Sequence, residues 1–317
     1  MLAVLGAVCV PLTLDCSRKL SGKKYLVAFS QCNNAEPYRA AQNALMTRLF
    51  SQDPDVDLVI ADAQQDDSKQ VDQIEAFIRE RPNLLIVAPN ERTPLTAVMG
   101  RAYDSKIPVI CLERDIVQPN YTTYIKADNR KIGEMAGQFI VDRLKKKYGT
   151  PRGNIVEIRG LLGIEAEMDR YRGAHAVMSQ FLEIKVVHEA VADWLQSKAK
   201  DRMTEALRAQ SQIDVVYGHN DPMAVGAYLA ARELGREKEM IFIGIDGLGG
   251  PGGGIQKVRD GILAVTFVYP LCVDKAVEIG NRILREPGFR PNKSYTMDSV
   301  MVTPENASEM YKRFTVI

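Results

Sequence analysis

Residues 215–234, VVYGHNDPMAVGAYLAAREL, contain one complete folding unit. Val215-Val216-Tyr217-Gly218 is a short apolar run suited to a buried strand. The polar His219-Asn220-Asp221 follows as a loop, and Pro222 opens a stretch with helical apolar spacing. Asp221 is expected to cap that helix with Pro222 at its first position. Asn220 is then expected to point its amide, a donor and an acceptor together, into the space beyond the strand. The same unit recurs along the chain. Strand-like runs occupy 25–30, 56–61, 84–88, 107–112, 122–126, 154–158, 184–188, 213–217, 240–245 and 262–268. Between them lie helical patterns such as Val71, Ile74, Ile78 and Ile132, Ala136, Phe139, Ile140, Leu144. Strict alternation predicts an α/β protein whose parallel sheets are covered on both faces through right-handed crossovers.

At 317 residues the chain is long enough for two lobes, each with its own core. The composition, 46% hydrophobic and 26% charged, is that of a folded protein. Its 41 basic and 40 acidic residues leave a formal charge of +1, which argues against nucleic acid as the main partner. Nothing after residue 15 reaches the run of roughly 18 apolar residues that a membrane span needs. Residues 1–14, MLAVLGAVCVPLTL, are uncharged and apolar, whereas 17–24, SRKLSGKK, are basic and polar. The first stretch has the length of a secretory signal core but lacks a preceding Lys or Arg, so signal and membrane anchor both stand as readings. Cys16 sits where a lipidated cysteine could follow, although Leu14-Asp15 is a poor match to lipoprotein processing. The cysteines, at 9, 16, 32, 111 and 272, form no CxxC pair, so neither a zinc site nor a disulfide framework is expected.

Parallel sheets present their ligand-facing loops at the carboxyl ends of their strands. In the first half these ends read Ser30 to Asn34, Gln64 to Asp67, Pro89 to Arg92 and Glu113 to Asp115. In the second half they read Arg159 to Arg170, Asp193-Trp194, His219 to Asp221 and Asp246-Gly247. Gln64 to Asp67 reads as an ordinary polar loop. Trp194, the only tryptophan, has the character of a stacking platform. Asp246 can accept two hydroxyl donors from a neutral polyol. The glycines of 249–254 have neither the GxxxxGK[ST] order nor a GxGxxG after the first strand, so a nucleotide loop is not expected. None of His175, His188 and His219 has a nucleophile at an interpretable spacing, and HExxH and GxSxG are missing. No catalytic residues, cofactor or metal are assigned, and the protein is not expected to be an enzyme.

In order along the chain, FSQCNN, NLLIVAPNE, IPVICLER, IKADNRKIGEMAG, VEIRGLLGIEAEMDRYRGAH, VVYGHNDPMAVGA and FIGIDGLGGPGGGIQKVRDGILAVTFVYP resemble the type I periplasmic sugar-binding family. That family includes the ribose- and galactose-binding proteins, and the resemblance covers about 24–303. QCNNAEPYRAAQNALM and TFVYP look closest to members that serve as extracytoplasmic sensors of two-component systems. The resemblance implies two Rossmann-like lobes joined by a three-segment hinge: 24–127 with 269–293, and 128–268 with 294–317, after a leader and linker over 1–23. It implies ligand contacts from Asn33 or Asn34, Tyr38, Glu113 and Arg114 in the first lobe. From the second lobe and hinge it implies Arg170, Trp194, Asn220, Asp246 and Tyr269. Glu113 stands where aspartate is usual and Tyr269 where glutamine is common. The implied function is to bind a monosaccharide or related polyol outside the cytoplasm, as a monomer, and deliver it to an ABC-type permease. The alternative is a sugar sensor for a two-component or chemotaxis system, acting through a sensor kinase on another chain. An effector domain of a sugar-responsive repressor is a weaker third reading, because only about 23 residues precede the first strand, too few for a helix-turn-helix domain.

Overall fold

The computed structural model describes residues 22–315; the leader, Cys9 and Cys16 lie outside the described residues. In chain order the first elements are β1 (Tyr25–Gln31), α1 (Pro37–Ser51), β2 (Val56–Asp62), α2 (Asp67–Glu80), β3 (Leu84–Ala88), α3 (Arg92–Asp104), β4 (Val109–Leu112) and β5 (Thr123–Ala127). Then come α4 (Asn129–Tyr148), β6 (Gly153–Arg159), α5 (Glu165–Met178), β7 (Ile184–Val191), α6 (Gln196–Ala209), β8 (Val215–Gly218), α7 (Asp221–Glu233), β9 (Ile241–Ile243), α8 (Gly254–Arg259) and β10 (Thr266–Phe267). The chain closes with α9 (Val273–Arg285), β11 (Ser294–Met297), β12 (Met301–Val302) and α10 (Ala307–Phe314).

Two sheets result. The first is parallel in the order β11-β5-β4-β3-β1-β2, and the second runs β7-β6-β8-β9, extended by bridges from Ile243 to Val265 and from Asp246 to Val268. β10 pairs antiparallel with β12, which completes that edge. The period of two explains why each sheet is covered on both faces. Along the wholly buried β3, Leu84, Ile86 and Ala88 pack with Met46 and Phe50 of α1 and Val273 of α9, whereas Leu85 and Val87 pack with Ile74, Leu95 and Met99 of α2 and α3.

The chain passes between the sheets after Ala127, after Phe267 and after Met297. The last passage corrects the expected boundary at 293. Ser294–Met297 pairs in parallel with β5, so it belongs to the first sheet, and only β12 and α10 return to the second. SYTM has neither a continuous apolar run nor strong alternation, and pairing with a distant strand decides its place. The expected strand over 262–268 shortens to Thr266–Phe267, and that over 107–112 starts at Val109, because Pro108 has no N–H to offer a ladder. Cys32, Cys111 and Cys272 are buried free thiols.

Two close approaches set the second lobe. Gly133 of α4 and Gly173 of α5 let the helix backbones touch: a Cβ on Gly133 would lie 2.3 Å from the Arg170 carbonyl oxygen, and one on Gly173 would lie 2.2 Å from that of Arg130. Beneath α5, the buried Glu157 of β6 lies 2.6 Å from His175 Nε2 and 2.9 Å from His219 Nε2. Burial pushes the Glu157 carboxyl up, but the hydrogen bonds and charge of the two histidines outweigh it and hold it at about 2. Glu157, His175 and Glu189 bring their ligand-type atoms within 4.8 Å of one another. Within the protein the cluster is an ion-pair network, Glu157 bonded to His175 and Glu189 accepting from Arg159 at 2.7 Å.

A carboxyl held below its ordinary 4.5 adds stability that is complete above that value and is lost as pH falls toward about 2. The wild-type protein should therefore lose on the order of 3 kcal/mol from this group across that window. Glu157→Gln should be less stable at pH 6 and flatter between pH 4.5 and 2, as read from urea midpoints. Parallel curves for the two proteins would show that the histidines do not hold the carboxylate.

Candidate functional site

The carboxyl ends of both sheets face one another across the crossovers, and the side chains they carry converge on a narrow space between the lobes, about 20 Å³ of which is open to a water-sized molecule. Glu36 precedes α1, and Tyr38 and Arg39 lie in its first turn. Glu113 and Arg114 follow β4, Ala166 and Arg170 sit on α5, and Trp194 follows β7. Asn220 begins α7, Asp246 follows β9, and Tyr269 lies on the middle crossover.

Glu113 organises the first-lobe wall. Its backbone is left-handed, with φ of 67°, which turns the side chain inward off the strand end. Oε2 lies 2.6 Å from Arg39 Nη2 and 3.6 Å from Arg114 Nε, and Oε1 accepts the Tyr269 phenol at 2.7 Å. Burial opposes ionisation, but the charges of Arg39 and Arg114 prevail and keep the carboxyl below its usual range. Tyr269 Oη also receives Asn129 Nδ2 at 3.3 Å, and Asn129 Oδ1 accepts from Arg170 Nε at 3.0 Å. Arg170 Nη1 donates to the His219 carbonyl at 2.6 Å. A chain of hydrogen bonds therefore runs from Arg39 of one lobe to the floor of the other.

Aromatic faces complete the walls. Tyr38 and Tyr269 have ring centroids 5.0 Å apart, and the Arg170 guanidinium lies 4.3 Å from the Tyr269 centroid and 5.5 Å from that of Trp194. Trp194 itself stands against Gly160, where a Cβ would lie 2.1 Å from the indole. Burial drives the Tyr38 and Tyr269 phenols up, so both remain protonated donors.

Several polar atoms in these walls are unsatisfied. Arg39 Nε, Arg114 Nε and Trp194 Nε1 are buried without a hydrogen-bond partner among the described residues. No described group donates a hydrogen bond to the buried Asp246 carboxylate. Burial, and then the neighbouring Asp221, push the Asp246 carboxyl well above its usual range. Asp221 is engaged, accepting Thr266 Oγ1 at 2.6 Å and Gly247 N–H at 2.8 Å. Orphaned donors and an unpartnered acceptor bordering one space are what hydroxyl groups complement.

Eight of the ten expected residues surround this space: Tyr38, Glu113, Arg114, Arg170, Trp194, Asn220, Asp246 and Tyr269. Asn33 and Asn34 do not. Asn33 is buried, but its Oδ1 accepts the Ala35 and Glu36 N–H groups and its Nδ2 donates to Glu36 Oε1 at 2.6 Å, so it shapes the turn that presents Glu36. Asn34 is exposed and bonded to Asn43. The capping expectation is also corrected. Asn220, not Asp221, caps α7, accepting from the Met223 N–H at 2.9 Å, and its Nδ2 donates to the Trp194 carbonyl at 3.1 Å. Its amide therefore fastens the Trp194 loop, although the residue borders the cavity. Glu36, Arg39, Ala166 and Asn129 were missed. Glu36 and Arg39 stand three apart, across the first turn of a helix opened by Pro37, the available signal that both face one side.

A family model for the periplasmic binding protein domain matches residues 27–271. The galactofuranose-binding protein YtfQ of Escherichia coli K12 is 30% identical over 230 residues, covering 70% of this chain and 71% of its own. Among solved structures, the fructose-binding periplasmic domain of the hybrid two-component system BT1754 is 38% identical with a TM-score of 0.85, over 91% of this chain and 94% of that one. The periplasmic binding protein of an arabinose ABC transporter from Shewanella sp. ANA-3, solved with L-arabinofuranose, is 26% identical with a TM-score of 0.82, over 91% and 95%. The two-lobed parallel α/β fold, the site between the lobes and these likenesses agree, and the chain belongs to the type I periplasmic sugar-binding protein family.

Proposed function

We propose that the protein binds one neutral monosaccharide or related polyol between its lobes and presents it, closed in, to an ABC-type sugar permease. The carrying observation is a set of polar atoms without partners among the described residues: Arg39 Nε, Arg114 Nε and Trp194 Nε1 are buried without acceptors, and no described group donates to the Asp246 side chain. A vicinal diol meets both needs at once, since each hydroxyl accepts and donates. The lining holds three arginines (39, 114, 170) and three acids (36, 113, 246), with Glu113 paired to Arg39 and Arg114 and Asp246 shifted toward its protonated form, a mixture that favours hydroxyl groups as partners. Tyr38, Trp194 and Tyr269 supply faces for the C–H side of a sugar ring. Groups from both lobes reach one ligand together only when the cleft is closed, so binding shifts an open–closed equilibrium that a membrane partner can read. The family works outside the cytoplasm and is not enzymatic. The apolar residues 1–14 suit an export signal or anchor that would take this chain there.

Two observations bear on the partner. The arabinose-transporter likeness supports delivery to a permease. The 38% identity to a hybrid two-component sensor domain supports a second reading, in which the same closure signals to a kinase. Deleting the gene separates them. Loss of uptake of the radiolabelled ligand fits the permease role; retained uptake with loss of sugar-induced transcription fits the sensor.

In a thermal-shift panel of D-fructose, L-arabinose, D-galactose, D-ribose and myo-inositol, with D-glucuronate and a sugar phosphate as charged controls, at least one neutral compound should raise Tm while the anions do not. A folded protein stabilised by none of the neutral compounds, or best by an anion, would sink the reading. Trp194→Ala should weaken the best ligand at least about tenfold, and Asp246→Asn about ten- to a hundredfold, the loss expected when a hydrogen bond to a charged group is removed. Calorimetry giving wild-type affinity for either variant would remove that residue from the site.

A further inference from the structure

Outside the cavity, the two lobes also meet through one carboxylate. Glu165 opens α5 in the second lobe, and its side chain crosses to β5 of the first sheet. There Oε1 accepts from Lys126 Nζ at 2.8 Å, and Oε2 lies 2.8 Å from Tyr124 Oη. The Tyr124 oxygen is also 3.1 Å from the Glu113 carbonyl. Its single proton goes to the nearer, charged acceptor, and the phenol is left wedged between Glu165 and the strand end that bears Glu113. The Lys126 and Glu165 side chains are only 31% and 20% exposed, so solvent screens the pair partially. Other groups feel this charge. Asp115 of the first lobe, paired with Arg92 at 2.7 Å, has its carboxyl pushed up to about 6, first by burial and then by Glu165. Asp169, one turn along α5, is raised by burial and then by Glu165 as well.

Five residues after Glu165 on the same helix comes Arg170, whose guanidinium spans the Tyr269 and Trp194 rings. We propose that Glu165 is a positioning residue: by gripping Tyr124 and Lys126 across the lobe boundary it holds α5, and with it Arg170, in the closed arrangement over the cavity. The contact is built from protein groups alone, so it favours closure independently of what the cavity holds, and it slows escape of whatever is enclosed. Glu165 also occupies the first turn of α5, where a negative charge is favourable to the helix itself. Tyr124 and Lys126 play no part in that effect, and substitutions there isolate the latch.

The inference rests on the sugar-binding reading only for its kinetic arm. Trp194, the one tryptophan in the chain, is the probe with which D-fructose binding is followed by stopped-flow fluorescence. Glu165→Gln and Tyr124→Phe should each speed dissociation about five- to tenfold while association changes less than about twofold. The double variant should lose no more than Glu165→Gln alone, because both break one contact. In sugar-free protein, small-angle scattering should give a larger radius of gyration for each variant than for wild type, with unchanged far-UV circular dichroism. Should Glu165→Gln fold poorly, Tyr124→Phe and Lys126→Met carry the same measurements. Additive kinetic effects, or wild-type dissociation rates together with a wild-type radius, would overturn the latch. If D-fructose does not bind, the radius alone decides it: an increase upholds the latch, and no change overturns it.

Discussion

A carboxylate buried between two guanidinium groups carries a desolvation cost that only close, well-directed partners offset. Glu113 meets that condition through contacts from three parts of the chain: Arg39 on α1, Arg114 beside it, and Tyr269 on the middle crossover. Its left-handed backbone is tolerated because the surrounding bonds hold it there. Removing the carboxylate would leave two buried cations facing each other, so the site is an electrostatic unit and not a collection of independent contacts. The longer reach of glutamate over aspartate is what lets one oxygen meet the hinge phenol while the other meets Arg39.

From that centre the hydrogen bonds lead through Tyr269 and Asn129 to Arg170, and so from one lobe to the other. Rotation of the lobes about the three crossovers must stretch or preserve this chain. Binding and closure are thereby coupled by the wall itself. The floor under Arg170 is equally polar: its carbonyl partner belongs to His219, whose ring bonds the buried Glu157. A charged wall rests on a charged foundation, which the apolar cores of the two lobes keep away from water.

The elements that were legible before the structure are those whose signal is local. β3 matched its apolar run residue for residue, and Trp194 stood out as one large ring among polar neighbours. Where a polar side chain had several possible partners, its role was not legible. Asn33, Asn34 and Asn220 read alike as amides in the loops at strand ends, yet one shapes a turn, one lies at the surface and one caps a helix while fastening the Trp194 loop. Arg39 was overlooked because an arginine in a helix ordinarily faces solvent, and the acid that draws it inward lies 74 residues away. β11 escaped for the same reason: an edge strand with exposed side chains is defined by its partner, not by its own pattern.

The sequence by itself determined the alternation of strand and helix, and with it the parallel sheets and the gathering of polar loops at their carboxyl ends. Periodicity and chain handedness act over a few residues and need no knowledge of distant neighbours. Only the tertiary structure decided which lobe receives Ser294–Met297, which asparagine caps and which lines, and that Glu113 and Tyr269, 156 residues apart, share a proton donor and acceptor. Hydrogen bonds and ion pairs are chosen by proximity in space, and in a chain that crosses three times between two lobes that proximity is created by folding alone.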